Sequence, residues 1–513
     1  MAASHNTALR SNIEGNGLGS DGGVSGDVTE SSANGDSRVP GPRPRLSKVN
    51  LFTLLSLWME LFPKRESQKR GNGSVRDAGL VVVHEQRVLG LHCSGPELHA
   101  GQVAVIRHGL RLRGCDLYFS RKPCSTCLKM IINAGVNRIS YWPADAEISL
   151  LSDGSSTAKS HLEEAKLDAL AAEKLKSNSR PHICVMLQPL ASEMLQFVEE
   201  TSCNSDFLER MFRDNQSWNI QQLFRMENQR NWDDFSKRFF IEDREQHRKM
   251  LEMMGLENFC LEQYLSALRQ HMRDLIKILA SVAASVPVRE HEYGFYETEP
   301  ITTKCSALPK EVVQHCIIQA TLLAYRTEDP KVGVGTVIWA EDKEGRWQSE
   351  CDGTGAMYLV GCGYNAYPAG SEYAEFPQMD ARQEERHNRK YRYIIHAEQN
   401  ALTFRSAEVR GQEQTMLFVT KCPCDECVPL IHGAGIKQIY TADKDSGKDK
   451  HDISYKRFSQ LRQVQKFIWQ KLPPVKGSSE QTRPPLATEA INQEPSPKLL
   501  QPLLQSSPHF IIN

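Results

Sequence analysis

Two short runs in this sequence could do chemistry together. His396-Ala397-Glu398 sets an imidazole two residues before a carboxylate, and Pro423-Cys424-Asp425-Glu426-Cys427 sets two thiols three residues apart. One imidazole and two thiolates are three zinc ligands. Three protein ligands leave the fourth tetrahedral position to water, as in catalytic rather than structural zinc sites. A helix whose first turn holds His396, and another that opens at the Cys pair, would aim positive dipole ends at the metal and favour the thiolates. Glu398 is then near enough to reach that water without binding the metal, which makes it the proton carrier. Cys422, just ahead of the Pro-Cys turn, reads as a buried inert thiol. Singly, a Cys-x-x-Cys suits a redox pair or half a zinc ribbon as well, and a His-Ala-Glu is a common solvated helix start. Their joint occurrence carries the reading.

The same frame occurs 300 residues earlier, where Pro123, Cys124, Cys127, Ala134-Gly135 and Ile139 fall on Pro423, Cys424, Cys427, Ala434-Gly435 and Ile439 without a gap. His99-Ala100 matches His396-Ala397, with three residues fewer between the His and the first Cys. The first copy departs at one place: Gly101 stands where Glu398 stands in the second, and the adjacent Gln102 cannot ionise. Losing a positioned acid/base typically costs ~10²–10⁴-fold in rate. The first copy is therefore expected to hold a structural zinc through His99, Cys124 and Cys127 and to be catalytically dead, serving as a packing partner or effector site.

The elements needed to position these residues are legible in both copies. Apolar strands are predicted at Leu80 to Val83, Val88 to Cys93, Cys115 to Ser120 and Arg138 to Trp142. Their counterparts are Val332 to Trp339, Tyr358 to Tyr364, Met416 to Thr420 and Lys437 to Tyr440, with helices opening at the His and at the Cys pair. Strands and helices in alternation predict an α/β fold, a three-layer α/β/α sandwich in each copy. The expected organisation is a disordered arm over 1–45, a first degenerate domain over 76–190, a largely helical linker over 191–307, a catalytic domain over 308–470 and a disordered tail over 473–513. Residues 1–43 hold 24 Gly, Ser, Asn, Asp or Pro and no apolar period, so they cannot bury enough surface to offset their ordering entropy.

The second copy resembles the zinc deaminases in its His-x-Glu and Pro-Cys-x-x-Cys runs. Gly363-Tyr364-Asn365-Ala366-Tyr367-Pro368-Ala369-Gly370, His396-Ala397-Glu398-Gln399-Asn400-Ala401 and Val419-Thr420-Lys421-Cys422-Pro423-Cys424 are similar to the deoxycytidylate branch of the cytidine deaminase superfamily. The resemblance implies two cytidine-deaminase-like domains, Zn²⁺, and hydrolytic deamination of a free cytosine nucleotide, dCMP or dCTP, with cytidine and deoxycytidine as further candidates. The products would be the uracil counterpart and ammonia. On this reading zinc lowers the pKa of water for attack at C4. Glu398 takes the water's proton, delivers it to N3 and then protonates the departing amine. The resemblance also turns Asn365 toward the sugar and phosphate side of the nucleotide, against the alternative of a turn residue that caps its own backbone. Asn400 is a second substrate-binding candidate, weighed equally against a structural hydrogen bond inside its helix.

Charge and composition exclude other classes. With 62 Lys+Arg against 63 Asp+Glu there is no global attraction for a polyanion, and no stable nucleic-acid partner is expected. A polynucleotide-editing deaminase shares the zinc signature but is opposed by this neutral balance and by Thr420-Lys421-Cys422 where such enzymes carry Ser-Trp-Ser. A zinc-stabilised nucleotide-sensing scaffold would have no use for Glu398. The longest apolar stretch, Leu51 to Phe62, is too short and too interrupted to span a bilayer, and the first 30 residues show no signal-peptide pattern. A cytoplasmic protein, with nuclear shuttling in view, is expected, its 14 cysteines serving as thiols and metal ligands. Leu51, Leu54, Leu57 and Met59 space like an export signal, but the same spacing covers a core, which is the favoured reading. Arg389, Lys390 and Arg392 are expected in a solvated loop beside Glu384-Glu385, with phosphate contact as the alternative. The assembly is expected to be a homo-oligomer or an internal pseudo-dimer.

Overall fold

The computed structural model describes residues 44–64, 75–149, 158–214, 219–287, 293–298, 307–327, 333–342, 351–371, 376–377, 385–442, 445–450 and 453–472. Almost all of the expected N-terminal arm and the whole of the expected tail lie outside these residues.

The first copy is built from α1 (Lys48–Glu60), β1 (Gly79–His84), β2 (Arg87–Cys93), α2 (Ala100–His108), β3 (Asp116–Phe119), α3 (Ser125–Asn133), β4 (Arg138–Tyr141), α4 (Ala158–Ser177) and β5 (His182–Cys184). Its sheet runs β2-β1-β3-β4-β5. Pairing is antiparallel from β2 through β1 to β3 and parallel from β3 through β4 to β5. Leu80 to Val83 are β-branched or leucine throughout and buried on both faces, as a central strand between helical layers requires.

Five helices follow: α5 (Met194–Cys203), α6 (Asp206–Asp214), α7 (Ile220–Phe239), α8 (Arg244–Met253) and α9 (Glu262–Ala284). The second copy comprises β6 (Tyr293–Glu297), α10 (Lys310–Ala324), β7 (Gly335–Glu341), β8 (Met357–Tyr364), α11 (Ala397–Thr403), β9 (Gln414–Val419), α12 (Cys427–Gly433) and β10 (Gln438–Thr441). The short pair β11 (Asp449–Lys450) and β12 (Ile453–Ser454), then α13 (Lys456–Gln460) and β13 (Gln465–Lys471), complete it. Its sheet order, β6-β13-β10-β9-β7-β8, repeats the first sheet strand for strand and adds β6 at the far edge. Among the described residues no helix is long and apolar enough to cross a membrane.

The three layers follow from which backbone each strand face touches. A Cβ on Gly335 would lie 1.8 Å from the Ala320 carbonyl oxygen of α10, whereas one on Gly363, opposite the next residue Thr336, would lie 2.4 Å from the Ala397 oxygen of α11. Facing pairs alternate sides along a ladder, so α10 and α11 cover opposite faces. The matched Ala-Gly pairs have a local cause as well: Gly135 and Gly435 take φ of +82° and +78° just past α3 and α12, a left-handed exit that favours glycine.

The first sheet takes its opening helix from residues ahead of position 76. α1 packs on β1 and β3 as α10 packs on β7 and β9, and it also touches α10. Leu51, Leu54, Leu57 and Met59 are all buried, so their spacing is that of a core helix. Its N-terminus is capped by Ser47, whose Oγ accepts from Asn50 N–H at 3.1 Å, worth about 1 kcal/mol. The middle helices do more than connect. Trp142 Nε1–H donates to the Phe239 oxygen of α7 at 2.7 Å and Trp469 Nε1–H to the Phe207 oxygen of α6 at 3.1 Å, so both sheets lean on them.

One buried ion network sits immediately before the first Pro-Cys turn. Glu60, at the end of α1, accepts from Ser120 Oγ at 2.6 Å, Arg121 Nη2 at 2.7 Å and Arg238 Nε at 2.7 Å. Removing one partner of such a network leaves uncompensated charge, at a cost of about 3–5 kcal/mol. The network ties α1, the β3 exit and α7 together two residues from Pro123.

Candidate active site

In the second copy the ligand residues reach one point from two helix starts. His396 is the N-cap of α11 rather than a first-turn residue, and its N–H donates to Gln399 Oε1 at 2.8 Å. The turn Cys424-Asp425-Glu426 leads into α12, with Cys427 N–H donating to the Cys424 carbonyl at 3.0 Å. His396 Nδ1 lies 3.2 Å from Cys424 Sγ and 3.3 Å from Cys427 Sγ, and the three donor atoms are all within 4.8 Å of one another. Donors around a tetrahedral zinc at about 2.0–2.3 Å stand roughly 3.3–3.8 Å apart, so these residues fit the ion. Thiolates with an imidazole also suit zinc over the hard cations.

Glu398 is buried at 4% exposure beside this cluster without joining it. Burial pushes its carboxyl up to about 7, with the Cys424 charge adding to the shift. A carboxyl held near neutrality both takes and gives protons at physiological pH. Cys424 is held down at about 4, chiefly by the hydrogen bond from Cys427. Burial opposes charging of His396, but its bond to Cys424 prevails and lifts the imidazole to about 9.

Asn365, His396, Glu398, Lys421, Cys422, Cys424 and Tyr455 share one hollow with Val334, Tyr391, Ile394 and Ile453. It is small, about 60 Å³, against about 550 Å³ for a hollow walled by Trp58, Arg230, Asp234 and Arg238. Only the small one joins a ligand set to a buried acid. Asn365 N–H donates to the Val334 oxygen and its carbonyl accepts from Thr327 Oγ1, while its side-chain Oδ1 has no hydrogen-bond partner among the described residues. The side chain is thus not spent on capping its own turn.

Two expectations change. Asn400 does not line the hollow: its Nδ2 donates to the Tyr364 carbonyl at 2.8 Å, so the helix interior fixes the end of β8 and the turn that carries Asn365. The basic run before α11 is not a solvated loop. It winds into short 3-10 turns that fold it inward, burying Arg389 and Lys390, with Lys390 Nζ 5.3 Å from the Tyr391 ring; only Arg392 is exposed. Cys422 is buried and outside the ligand cluster.

The first copy repeats the frame. His99 is the N-cap of α2, with its N–H on Gln102 Oε1 at 2.8 Å, and its Nδ1 lies 3.3 Å from Cys124 Sγ. A residue that the sequence did not single out joins them. Glu147, in the loop after β4, brings Oε2 to 3.0 Å from His99 Nδ1 and accepts from Cys124 N–H at 3.1 Å. Its distance from either motif and the Gly447 at the equivalent offset left no signal for it. Lys421 and Tyr455 also line the second hollow; Lys421 stands inside the Val419 to Cys424 run but was given no role, and Tyr455 falls in no motif.

One family model matches both copies. The family described as "Cytidine and deoxycytidylate deaminase zinc-binding region" matches residues 55–142 and 310–443. Cytidine and dCMP deaminase domain-containing protein 1 of Danio rerio is 63% identical over 472 residues, 91% of this chain and 99% of that protein. Deoxycytidylate deaminase of Homo sapiens is 33% identical over 133 residues, 26% of this chain and 65% of that protein. Among solved structures, the dCMP deaminase of cyanophage S-TIM5 in complex with dCMP and dUMP is 20% identical with a TM-score of 0.22, covering 31% of this chain and 98% of that one.

Proposed function

The chain belongs to the cytidine and deoxycytidylate deaminase family, and from that premise we propose that its second copy deaminates a free cytosine nucleotide, dCMP or dCTP, to the uracil nucleotide and ammonia. The observation that carries this reading is Glu398, a carboxyl buried in the same hollow as the His396 and Cys424 donors and outside the three-residue ligand cluster. Zinc, when held by those three residues, supplies the Lewis acidity that makes water a nucleophile near pH 7. Glu398 takes the proton of the water that adds to C4 and passes it to N3; it then takes the proton of the new C4 hydroxyl and gives it to the amine as the C4–N bond breaks and C4=O forms. One water is consumed and one ammonia leaves. Asn365 offers its unspent Oδ1 to the sugar side of the nucleotide, and Asn400 positions that turn. The first copy, with Gly101 in place of the acid, contributes packing rather than turnover.

The test is a panel of cytidine, deoxycytidine, CMP, dCMP, CTP, dCTP and a cytosine-containing oligonucleotide, with uracil product measured for each. A deoxycytidine nucleotide is expected to exceed deoxycytidine by at least ~10²-fold in kcat/KM, because phosphate binding positions C4. Equal efficiency on the nucleoside would overturn the nucleotide assignment. Activity confined to the oligonucleotide would replace it with an editing function.

A further inference from the structure

The first copy has gained a donor as well as losing an acid. His99, Cys124, Cys127 and Glu147 each present one ligand atom, and all four lie within 4.8 Å of one another, whereas the second copy's cluster holds three. Glu147 is 1% exposed; one carboxylate oxygen is engaged with His99 and Cys124 N–H, and the other, Oε1, has no hydrogen-bond partner among the described residues. A buried carboxylate with one oxygen against the His99 imidazole and the other unpaired has acceptor capacity left for a cation.

We infer that Glu147 is the fourth protein ligand of a closed, structural zinc site in the first copy. Structural zinc sites are closed by four protein ligands, while catalytic ones keep a position open. The carboxylate is held in place beforehand: Arg76 N–H donates to the Glu147 carbonyl at 2.7 Å, Glu147 N–H to the Lys122 carbonyl at 2.9 Å, and Lys122 N–H to the Asp145 carbonyl at 3.3 Å. The position from which the second copy delivers its acid is crowded here, because a Cβ on Gly101 would lie 3.0 Å from Cys127 Cβ and 3.1 Å from its Sγ. At the matching offset the second copy has Gly447, which offers no carboxylate. The two copies thus divide one ligand frame into an open site and a closed one, and the closed site fastens the loop after β4 to the starts of α2 and α3.

Cobalt(II) tests this in the full-length chain, with azide as probe of an open metal position. Cys424→Ser/Cys427→Ser protein, which keeps only the first site, is expected to bind one cobalt whose visible spectrum azide leaves unchanged. Adding Glu147→Ala should make that spectrum azide-responsive and speed metal release to a chelator by at least ~10-fold. If the double variant does not fold, wild-type protein with two cobalt ions is expected to respond at one of them only. A response at both, or a folded chain that binds no metal at His99, Cys124 and Cys127, would overturn the inference. The second outcome would mean that a His99–Glu147 ion pair replaces the metal. None of these readouts depends on deaminase activity.

Discussion

Trp58 lies flat against His315, ring centroids 4.7 Å apart and planes 11° from parallel, and its Nε1–H donates to the His315 carbonyl at 3.0 Å. The two residues sit on α1 and α10, the opening helices of the two copies. The pairing continues one residue on, where Gln319 Nε2 approaches Met59 Sδ at 3.1 Å. At the opposite side Arg107 and Asp352 form an ion pair at 2.8 Å, and β2 packs against β8. The copies therefore share a core instead of being tethered.

Trp58→Ala should cost about 3–5 kcal/mol of unfolding free energy, the range for truncating a buried aromatic. Urea denaturation followed by circular dichroism would show it as one transition moved to lower denaturant. A loss under about 1 kcal/mol, or two separated transitions, would mean that the copies fold independently.

Glu398→Gln should abolish turnover, by more than ~10²-fold, and leave zinc content at the wild-type value, since the amide keeps the shape but can neither take up nor release a proton. Retention of more than a few per cent of activity would remove Glu398 from the mechanism.

Gly101→Glu should not awaken the first copy. The new Cβ crowds Cys127, so the variant is expected to lose zinc from that site and melt lower while uracil production stays that of the second copy. Doubled activity in a stable protein would contradict both the crowding and the closed site.

Asn365→Ala should shrink the nucleotide-over-nucleoside advantage while sparing zinc and melting temperature, because the deleted oxygen makes no internal hydrogen bond. A melting temperature lowered by many degrees would make Asn365 structural.

His247 is buried, with Nε2 bonded to the Pro143 carbonyl at 2.8 Å and Nδ1 accepting from Arg269 Nη1 at 2.9 Å. Burial holds its pKa down at about 4, with Arg269 adding to the effect. The unfolded chain, near 6.5, binds the proton first, so stability is full above pH ~6.5 and falls as pH drops toward 4, by up to about 1.4 kcal/mol per unit. His247→Gln should flatten that slope between pH 6.5 and 5. An unchanged slope would show that other groups, such as His92 and His315, both held down at about 3 mainly by burial, dominate the acid limb.

What the amino-acid order determined by itself was local. His396 with its Gln399 cap, the Cys pair three residues apart, and the Ala-Gly helix exits are set within one or two turns of chain. The repetition of the Cys pair and the Ala-Gly exits at an offset of 300, and of the His at 297, could be read without a structure. Four strands of each copy were legible as apolar runs, whereas β5, β6 and β13, which complete the two sheets, were not among the expected strands. Tertiary structure decided the rest. Glu147 is 48 residues from His99 and arrives only because the loop after β4 pairs back onto Lys122 and Arg76. The Asn400 amide turned to Tyr364 instead of the hollow because β8 ends beside α11. Lys390 was buried by a fold-back that its charge gave no reason to expect. Contacts of that range depend on which surfaces the packed sheets bring together, and no spacing along the chain encodes them.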